Sequence, residues 1–258
     1  MPTFNANGIE LYYEEQGEGA PLILLHGLGA NRAMFKREMD HWGASYRVIG
    51  LDSRGHGRSD KPAEFTLNDH IEDTVALLDH LGIQKAHVLG VSMGSYIAQG
   101  IALAHPDRVE KLVLVVSKAH GKTSSTQEMI EQHAEELKGV DEQQYPDILF
   151  KYMFHDQEAV KEWQEELWQT EQELSLAEMA AANKALAGFD FRAALPTVAA
   201  ETLVISGTYD GLNPPERGKE LASLIPNARF TEFENSGHAP NAEEPERFME
   251  TVQEFLEG

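Results

Sequence analysis

The stretch of residues 86–98 constrains the fold of this chain most strongly. An apolar run enters a Gly-x-Ser-x-Gly pentad, in which Ser92 lies between Gly90 and Gly94, and a helix-forming run follows. This order is typical of a nucleophile elbow, where a serine occupies a sharp strand-to-helix turn. Glycines flank such a turn because its backbone is strained and neighbouring main chains approach closely. The stretch therefore predicts a strand, a serine on the turn that follows and a helix whose N-terminus faces the serine hydroxyl.

Predicted strands and helices alternate on both sides of this stretch. Asn7-Gly8 is a strong tight-turn signal, so residues 3–16 are expected to form a hairpin. The other apolar runs predict strands at 21–25, 46–51, 85–91, 109–116, 201–206 and 229–233. Helical periodicity predicts helices at 34–42, 67–81, 93–105, 215–225 and 245–256. This alternation predicts an α/β fold, with a parallel sheet covered by helices on both faces.

The alternation stops between residues 118 and 195. Glu, Gln, Ala and Met are abundant there, no strong strand signal occurs, and apolar residues recur at helical spacing. We therefore expect two parts: a core domain from residues 1–117 and 196–258, and an inserted helical cap, or lid, at residues 118–195.

Charge and composition restrict the partners of this chain. A formal net charge of −22 over 258 residues disfavours nucleic acids and anionic membranes, whose phosphates would be repelled. Small uncharged molecules are the expected substrates. The chain has no cysteine, which excludes disulfides and thiol chemistry. Residues 1–5 show no signal-peptide pattern and no apolar run is long enough to span a membrane, so a cytoplasmic location is expected.

Two further loops supply the residue types that a nucleophilic serine needs. A serine hydroxyl is a weak nucleophile at neutral pH, so it needs a base within hydrogen-bond reach and a third group that orients the base. Asp210 follows the strand predicted at 201–206, and His238 follows the next one at 229–233. Functional groups gather at the carboxyl ends of parallel strands. The order Ser92, Asp210, His238 predicts a catalytic triad, against the alternative of a turn-forming aspartate and an ordinary loop histidine.

The loop His26-Gly27-Leu28-Gly29, after the first buried strand, is expected to complete an oxyanion hole. An oxyanion needs two preorganised N–H donors. We assign one to Met93, the residue after the nucleophile, and the other to Leu28. His26 precedes the glycine turn, which suits shaping this loop better than serving as the base. A direct contact with substrate and a purely structural role both stay open for it.

These motifs together resemble the α/β-hydrolase-fold serine hydrolases, and most of all small bacterial carboxylesterases and 3-oxoadipate enol-lactonases. The matching segments span nearly the whole chain, at residues 26–29, 52–59, 90–94, 207–210 and 236–238. The resemblance implies an eight-stranded, mostly parallel sheet with a helical cap inserted after the sixth strand. It also implies that Ser92 is the nucleophile, His238 the base and Asp210 the residue that orients the base.

Candidate substrate-binding side chains come from the predicted cap and from the loop after the first buried strand. Aromatic and apolar side chains in a cap can form an acyl or aryl pocket. The candidates are His26, Gly27, Phe150, Met153, Phe154 and Trp163. Apolar residues at helical spacing more often serve packing, and the sequence alone does not choose between the two. No metal site is expected, because no metal-ligand spacing occurs.

The predicted reaction is hydrolysis of small carboxylic esters through an acyl-enzyme, without a cofactor. The same triad is compatible with a lactonase such as a 3-oxoadipate enol-lactonase, a carbon–carbon bond hydrolase or a perhydrolase. A serine at position 92 argues against haloalkane dehalogenases and epoxide hydrolases, which use aspartate there. A ligand receptor with slow turnover is the alternative outside enzymes. The oligomeric state, monomer or homodimer, is left open.

Overall fold

An eight-stranded, mostly parallel sheet forms the centre of the molecule. The computed structural model describes residues 2–168 and 173–258, except for the side chains of residues 167 and 168. The strands are β1 (Thr3–Ala6), β2 (Ile9–Gln16), β3 (Ala20–Leu25), β4 (Tyr46–Leu51), β5 (Ala86–Val91), β6 (Val109–Val115), β7 (His120–Gly121), β8 (Phe189–Asp190), β9 (Glu201–Gly207) and β10 (Ala228–Phe233). The main sheet has the order β1-β2-β4-β3-β5-β6-β9-β10. β2 runs antiparallel to both of its neighbours, β1 and β4, and the other strand pairs described in this sheet are parallel, which confirms the predicted fold class.

The turn between β1 and β2 forms as the sequence predicts. Asn7 has a φ of 52° and Gly8 a φ of 83°. Left-handed residues at both central positions are what a type I′ hairpin turn requires, and Asn and Gly adopt that conformation most readily.

Helices cover both faces of the sheet. They are α1 (Lys36–Trp42), α2 (Leu67–His80), α3 (Met93–Ala104), α4 (Ser125–Gln132), α5 (Tyr145–Met153), α6 (Gln157–Trp168), α7 (Leu176–Ala185), α8 (Pro215–Leu224), α9 (Pro240–Glu243) and α10 (Pro245–Glu257). Successive strand residues point to opposite faces. Leu24 therefore packs into the cluster that contains Trp42 and Phe248, whereas Leu25 packs into the one that contains Ile71 and Ile97. Burial on both faces explains why the strands are almost continuously apolar.

The segment predicted as a cap leaves the sheet after β6 and returns at β9. These two strands are parallel neighbours, so the ends of the segment lie close together. Its described residues form α4 to α7, and none of them joins the main sheet. Near the two ends, β7 and β8 pair antiparallel, with His120 opposite Asp190. This pair is too short to give a periodic sequence signal.

In the part of the chain that the structure describes, no helix has both the length and the apolar character required to cross a bilayer. The cytoplasmic location stays a prediction.

Candidate active site

Ser92 lies in a strained turn between β5 and α3. Its backbone has a φ of 51° and a ψ of −115°, in a region that residues other than glycine rarely adopt. A Cβ on Gly90 would lie 2.2 Å from the carbonyl oxygen of Gly94, and one on Gly94 would lie 2.0 Å from that of Leu25. Only glycine allows these main chains to approach so closely. The turn holds the Ser92 side chain at the carboxyl edge of the sheet, beside the N-terminus of α3.

Ser92, His238 and Asp210 form a continuous hydrogen-bonded chain. Ser92 Oγ lies 3.0 Å from His238 Nε2, and Asp210 Oδ2 lies 2.8 Å from His238 Nδ1. Ser92 and His238 are each 9% exposed and Asp210 is 2% exposed. The carboxylate accepts a hydrogen bond from Nδ1–H, which leaves Nε2 without a proton and free to accept one from the serine. The residues that the sequence predicts to meet are brought together in one cleft.

The loop after β9 holds Asp210 through main-chain hydrogen bonds. Asp210 Oδ1 accepts from the backbone N–H groups of Leu212 and Asn213, both at 2.9 Å. The other carboxylate oxygen then faces His238. Backbone donors of this kind stabilise a carboxylate and fix its orientation.

The loop that carries His238 is held by Glu243, a residue that the sequence reasoning missed. Glu243 Oε1 accepts from the N–H groups of Gly237 at 2.9 Å and Ala239 at 3.1 Å, on either side of the histidine. Its Oε2 accepts from the N–H groups of His155 at 2.8 Å and Asp156 at 2.9 Å. One carboxylate therefore joins the His238 loop to the connection between α5 and α6. The sequence signal that could have identified Glu243 is its position in the first turn of a helix just after the histidine.

Leu28 and Met93 lie beside Ser92, where the oxyanion hole is expected. Met93 is the first residue of α3, so its N–H has no carbonyl partner within that helix. A Cβ on Gly27 would lie 3.6 Å from Ser92 Cβ, so the 26–29 loop passes directly over the serine. Gly29 turns this loop with a φ of 75°. Both Leu28 and Met93 line the cavity that contains Ser92.

His26 supports the loop from below and does not line the cavity. It is fully buried, with Nδ1 2.8 Å from the carbonyl oxygen of Gly27 and Nε2 accepting from the N–H of Ser53 at 3.0 Å. Burial lowers the pKa of His26 to about 4, so the ring is neutral at pH 7. The structure therefore places His26 behind the cavity wall, where both ring nitrogens join the loops after β3 and β4.

A cavity of about 860 Å³ opens over Ser92 and His238. Four of the candidates, Gly27, Met153, Phe154 and Trp163, line it, together with further apolar residues from the core and the predicted cap: Met34, Leu176, Met179, Leu186 and Leu212. The volume is in the range of sites that enclose a small organic molecule.

Phe150 is the other candidate that does not line this cavity. Its ring packs against that of Phe154, with ring centroids 4.6 Å apart, so it supports the wall from behind. Neighbouring residues of α5 face different directions, and the sequence did not reveal which face is turned towards Ser92. Among the residues that the structure describes, no group of three or more His, Asp or Glu side chains is placed to hold a metal ion.

A mostly parallel sheet with a serine at a strand-to-helix turn, hydrogen-bonded to a histidine and an aspartate from later strand ends, defines the class of α/β hydrolases. A family model described as alpha/beta hydrolase fold matches residues 20–245. The chain belongs to this family.

Proteins similar to this chain carry the names of several kinds of hydrolase. A 2-hydroxy-6-oxononadienedioate/2-hydroxy-6-oxononatrienedioate hydrolase 2 from Pseudomonas putida is 33% identical over 265 residues, covering 96% of this chain and 92% of that protein. The enol-lactonase from Burkholderia xenovorans LB400 superposes with a TM-score of 0.86 at 28% identity, covering 100% of both chains. A thermophilic esterase from Thermogutta terrifontis superposes with a TM-score of 0.81 at 28% identity, covering 99% of this chain and 96% of the other. These findings confirm the resemblance drawn from the motifs.

Proposed function

We propose that this α/β hydrolase cleaves carboxylic esters of small uncharged molecules through an acyl-enzyme intermediate. The observation that supports it most is the hydrogen-bonded chain from Ser92 Oγ through His238 to Asp210. An activated serine of this kind attacks acyl carbon atoms.

The proposed reaction has two halves. His238 Nε2 takes the Ser92 proton as Oγ attacks the ester carbonyl carbon, and the N–H groups of Met93 and Leu28 stabilise the oxyanion. The imidazolium then protonates the leaving alcohol oxygen, and the ester C–O bond breaks. A water molecule next attacks the acyl carbon while His238 takes its proton, and the acid leaves as Ser92 regains its hydrogen. Each oxyanion donor contributes about 3 kcal/mol to lowering the barrier.

The charge of the cavity supports uncharged substrates. None of the described residues that line the cavity is Lys or Arg, whereas Glu142 and Glu173 belong to its wall. Residues 169–172, which the structure does not describe, are Gln, Thr, Glu and Gln and add no cation. The relative from Pseudomonas putida is named for a dienedioate, which is a dicarboxylate. A carboxylate entering the cavity of this chain would meet like charge without a partner, which is unfavourable.

We also propose that residues 118–195 act as the cap of the site. They supply Met153, Phe154 and Trp163 to the cavity wall, which the loop around Leu28 also lines. On this proposal the cap sets which acyl and alcohol groups fit, and lactones or carbon–carbon substrates remain alternatives on the same triad.

The test compares p-nitrophenyl butyrate with the hemisuccinate of p-nitrophenol, which replaces the terminal methyl group by a carboxylate. We expect kcat/KM to be at least about tenfold higher for the butyrate, a difference of about 1.4 kcal/mol. Ser92→Ala should lower kcat by about 10⁴-fold or more, and the exposed control Ser223→Ala should not change it. An enol-lactone and a vinylogous diketone are assayed in parallel.

Each alternative has its own outcome. Equal rates for both esters contradict the preference for uncharged substrates, and an unchanged Ser92→Ala variant contradicts the triad. Faster cleavage of the lactone or the diketone favours the corresponding alternative. A single release of product equal to the protein concentration, without steady turnover, indicates a receptor.

A further inference from the structure

Three buried polar side chains beside the proposed triad form a closed ring of hydrogen bonds. Asn213 Nδ2 donates to the Tyr96 hydroxyl at 2.9 Å, and the Ser125 hydroxyl donates to Asn213 Oδ1 at 2.7 Å. The hydroxyl oxygens of Tyr96 and Ser125 lie 3.2 Å apart and complete the ring. The three residues are 0–5% exposed.

The direction of every bond in this ring is determined. Asn213 Nδ2 also donates to the carbonyl oxygen of Val116 at 2.7 Å, and a carbonyl only accepts, so the orientation of the amide is fixed. The single proton of Ser125 goes to Asn213 Oδ1, which leaves Tyr96 to donate to Ser125. Burial raises the pKa of Tyr96 to about 12, so its hydroxyl keeps the proton that this bond needs. Arg217 Nη1 adds a contact to Asn213 Oδ1 at 3.3 Å.

The ring joins three parts of the molecule whose relative positions matter for the proposed reaction. Tyr96 lies one turn after Ser92 on α3, and Asn213 belongs to the loop whose main chain binds Asp210 Oδ1. Ser125 is the first residue of α4, in the proposed cap. A fourth contact is Val116, a β-branched residue with a φ of 48°, which is a strained conformation. Asn213 therefore connects the nucleophile's helix, the loop of the acid, the end of β6 and the cap.

We propose that Asn213, Tyr96 and Ser125 are positioning residues that hold the Asp210 loop and α4 against the helix that carries Ser92. This inference rests on the proposed triad. In a closed ring each hydrogen bond orients the next one, so loss of either hydroxyl takes a ring partner from the other, while Val116 and Arg217 still hold the amide of Asn213. The ring therefore acts as one unit, and loss of a second member adds little to loss of the first.

The experiment is a double-mutant cycle with Tyr96→Phe and Ser125→Ala, which remove one oxygen each and spare the central amide. The control is Tyr152→Phe, which loses a hydroxyl bond of 2.8 Å to Glu136 outside the ring. Turnover of p-nitrophenyl butyrate is measured per active site, counted by titration with a fluorophosphonate. Each single variant is expected to lower kcat by about three- to tenfold, the range of one neutral hydrogen bond, with KM changed less. The double variant should be no slower than the slower single variant by more than about twofold.

The split between kcat and KM separates positioning from a general effect on folding. A shift of the Asp210 loop should lower kcat per titrated site in the ring variants while KM changes less. Neither value should change in Tyr152→Phe. The ring proposal is overturned if the decreases in kcat of the two single variants multiply in the double variant, or if kcat per titrated site is unchanged. The proposed function stands in either case. Activity that survives Ser92→Ala overturns both.

Discussion

Ser92 Oγ and His238 Nε2 lie 3.0 Å apart although 146 residues separate them in sequence. Their distance depends on two strand ends, β5 and β10, that meet at the same edge of the sheet. It also depends on the contacts that orient the side chains on either side of the pair.

Asp210→Asn should lower kcat by about 10⁴-fold with little change in stability. The amide that replaces Oδ2 can donate to His238 Nδ1, which would place the ring proton on Nε2 and stop it from accepting the serine proton. Kinetics with p-nitrophenyl butyrate and urea unfolding check both parts. Asp190→Asn removes an exposed carboxylate that pairs with Arg192 and serves as the control. A loss of less than about tenfold would show that the aspartate does not set the tautomer.

Glu243→Gln should lower kcat by about tenfold or more, because an amide keeps one accepting oxygen where the carboxylate has two. Two of the four N–H groups from Gly237, Ala239, His155 and Asp156 then lose their acceptor. The measurement is kcat per titrated site, with the exposed Glu246→Gln as the matched control. Equal activity of both variants would rule out a positioning role for Glu243.

A buried group of three imidazoles should make the protein sensitive to acid. Burial lowers the pKa of His26 to about 4, that of His56 to about 3, and that of His70 well below its ordinary value. The unfolded chain binds protons at the ordinary pKa of 6.5, and the folded chain does not. The free energy of unfolding that comes from keeping these imidazoles neutral is therefore fully present above about pH 6.5. It is lost as the pH falls towards the pKa values that the three groups have in the folded chain.

The variant His70→Leu tests this acid sensitivity. Both ring nitrogens of His70 are buried and find no hydrogen-bond partner in the part of the chain that the structure describes. Urea unfolding between neutral pH and about pH 4.5 should show a slope shallower than the wild type by about 1.4 kcal/mol per pH unit. The exposed Ser223→Ala, which changes no titratable group, should keep the wild-type slope. Parallel curves for wild type and His70→Leu would contradict the assignment.

Glu38 should produce the opposite pH dependence. Burial raises its pKa to about 7, above the ordinary value of 4.5, so the folded chain keeps a proton that the unfolded chain releases. Its contribution is fully present below about pH 4.5 and decreases as the pH rises through about 7, by about 3 kcal/mol in total. Glu38→Gln should therefore be more stable than the wild type at about pH 8 and should lose this dependence. The measurement is the free energy of unfolding against pH, with the exposed Glu250→Gln as the matched control. Identical curves for the wild type and Glu38→Gln would exclude a titrating Glu38.

Local signals explain which parts of the fold and site the sequence could predict. The hairpin at Asn7 and Gly8 depends on left-handed backbone that these two residues adopt easily. The turn at Ser92 depends on Gly90 and Gly94, whose need follows from close main-chain contacts. Strand runs and the polar loops that end them are also local, and a parallel sheet brings such ends together. The identities of Ser92, Asp210 and His238 could therefore be predicted from short segments.

Side-chain direction and partner choice were beyond the sequence. His26 and Phe150 have the residue types of a substrate pocket, yet they lie behind its wall, because backbone direction decides which side of a loop or helix faces the cavity. Asn213 and Glu243 belong to no motif, and their bonds to Tyr96, Ser125 and Val116 or to His155 and Asp156 come from distant segments. The pairing of β7 with β8 involves only two residues on each side.

Alone, the amino-acid sequence determined the fold class, the strand-to-helix turn and the three side chains proposed for catalysis, because backbone preference and apolar periodicity act over a few residues. Only the tertiary structure decided which residues line the cavity, that this wall lacks Lys and Arg among its described members, and that Asn213 connects four segments. These properties arise from packing and hydrogen bonds between distant residues, whose geometry is set only when the sheet and its surrounding helices assemble.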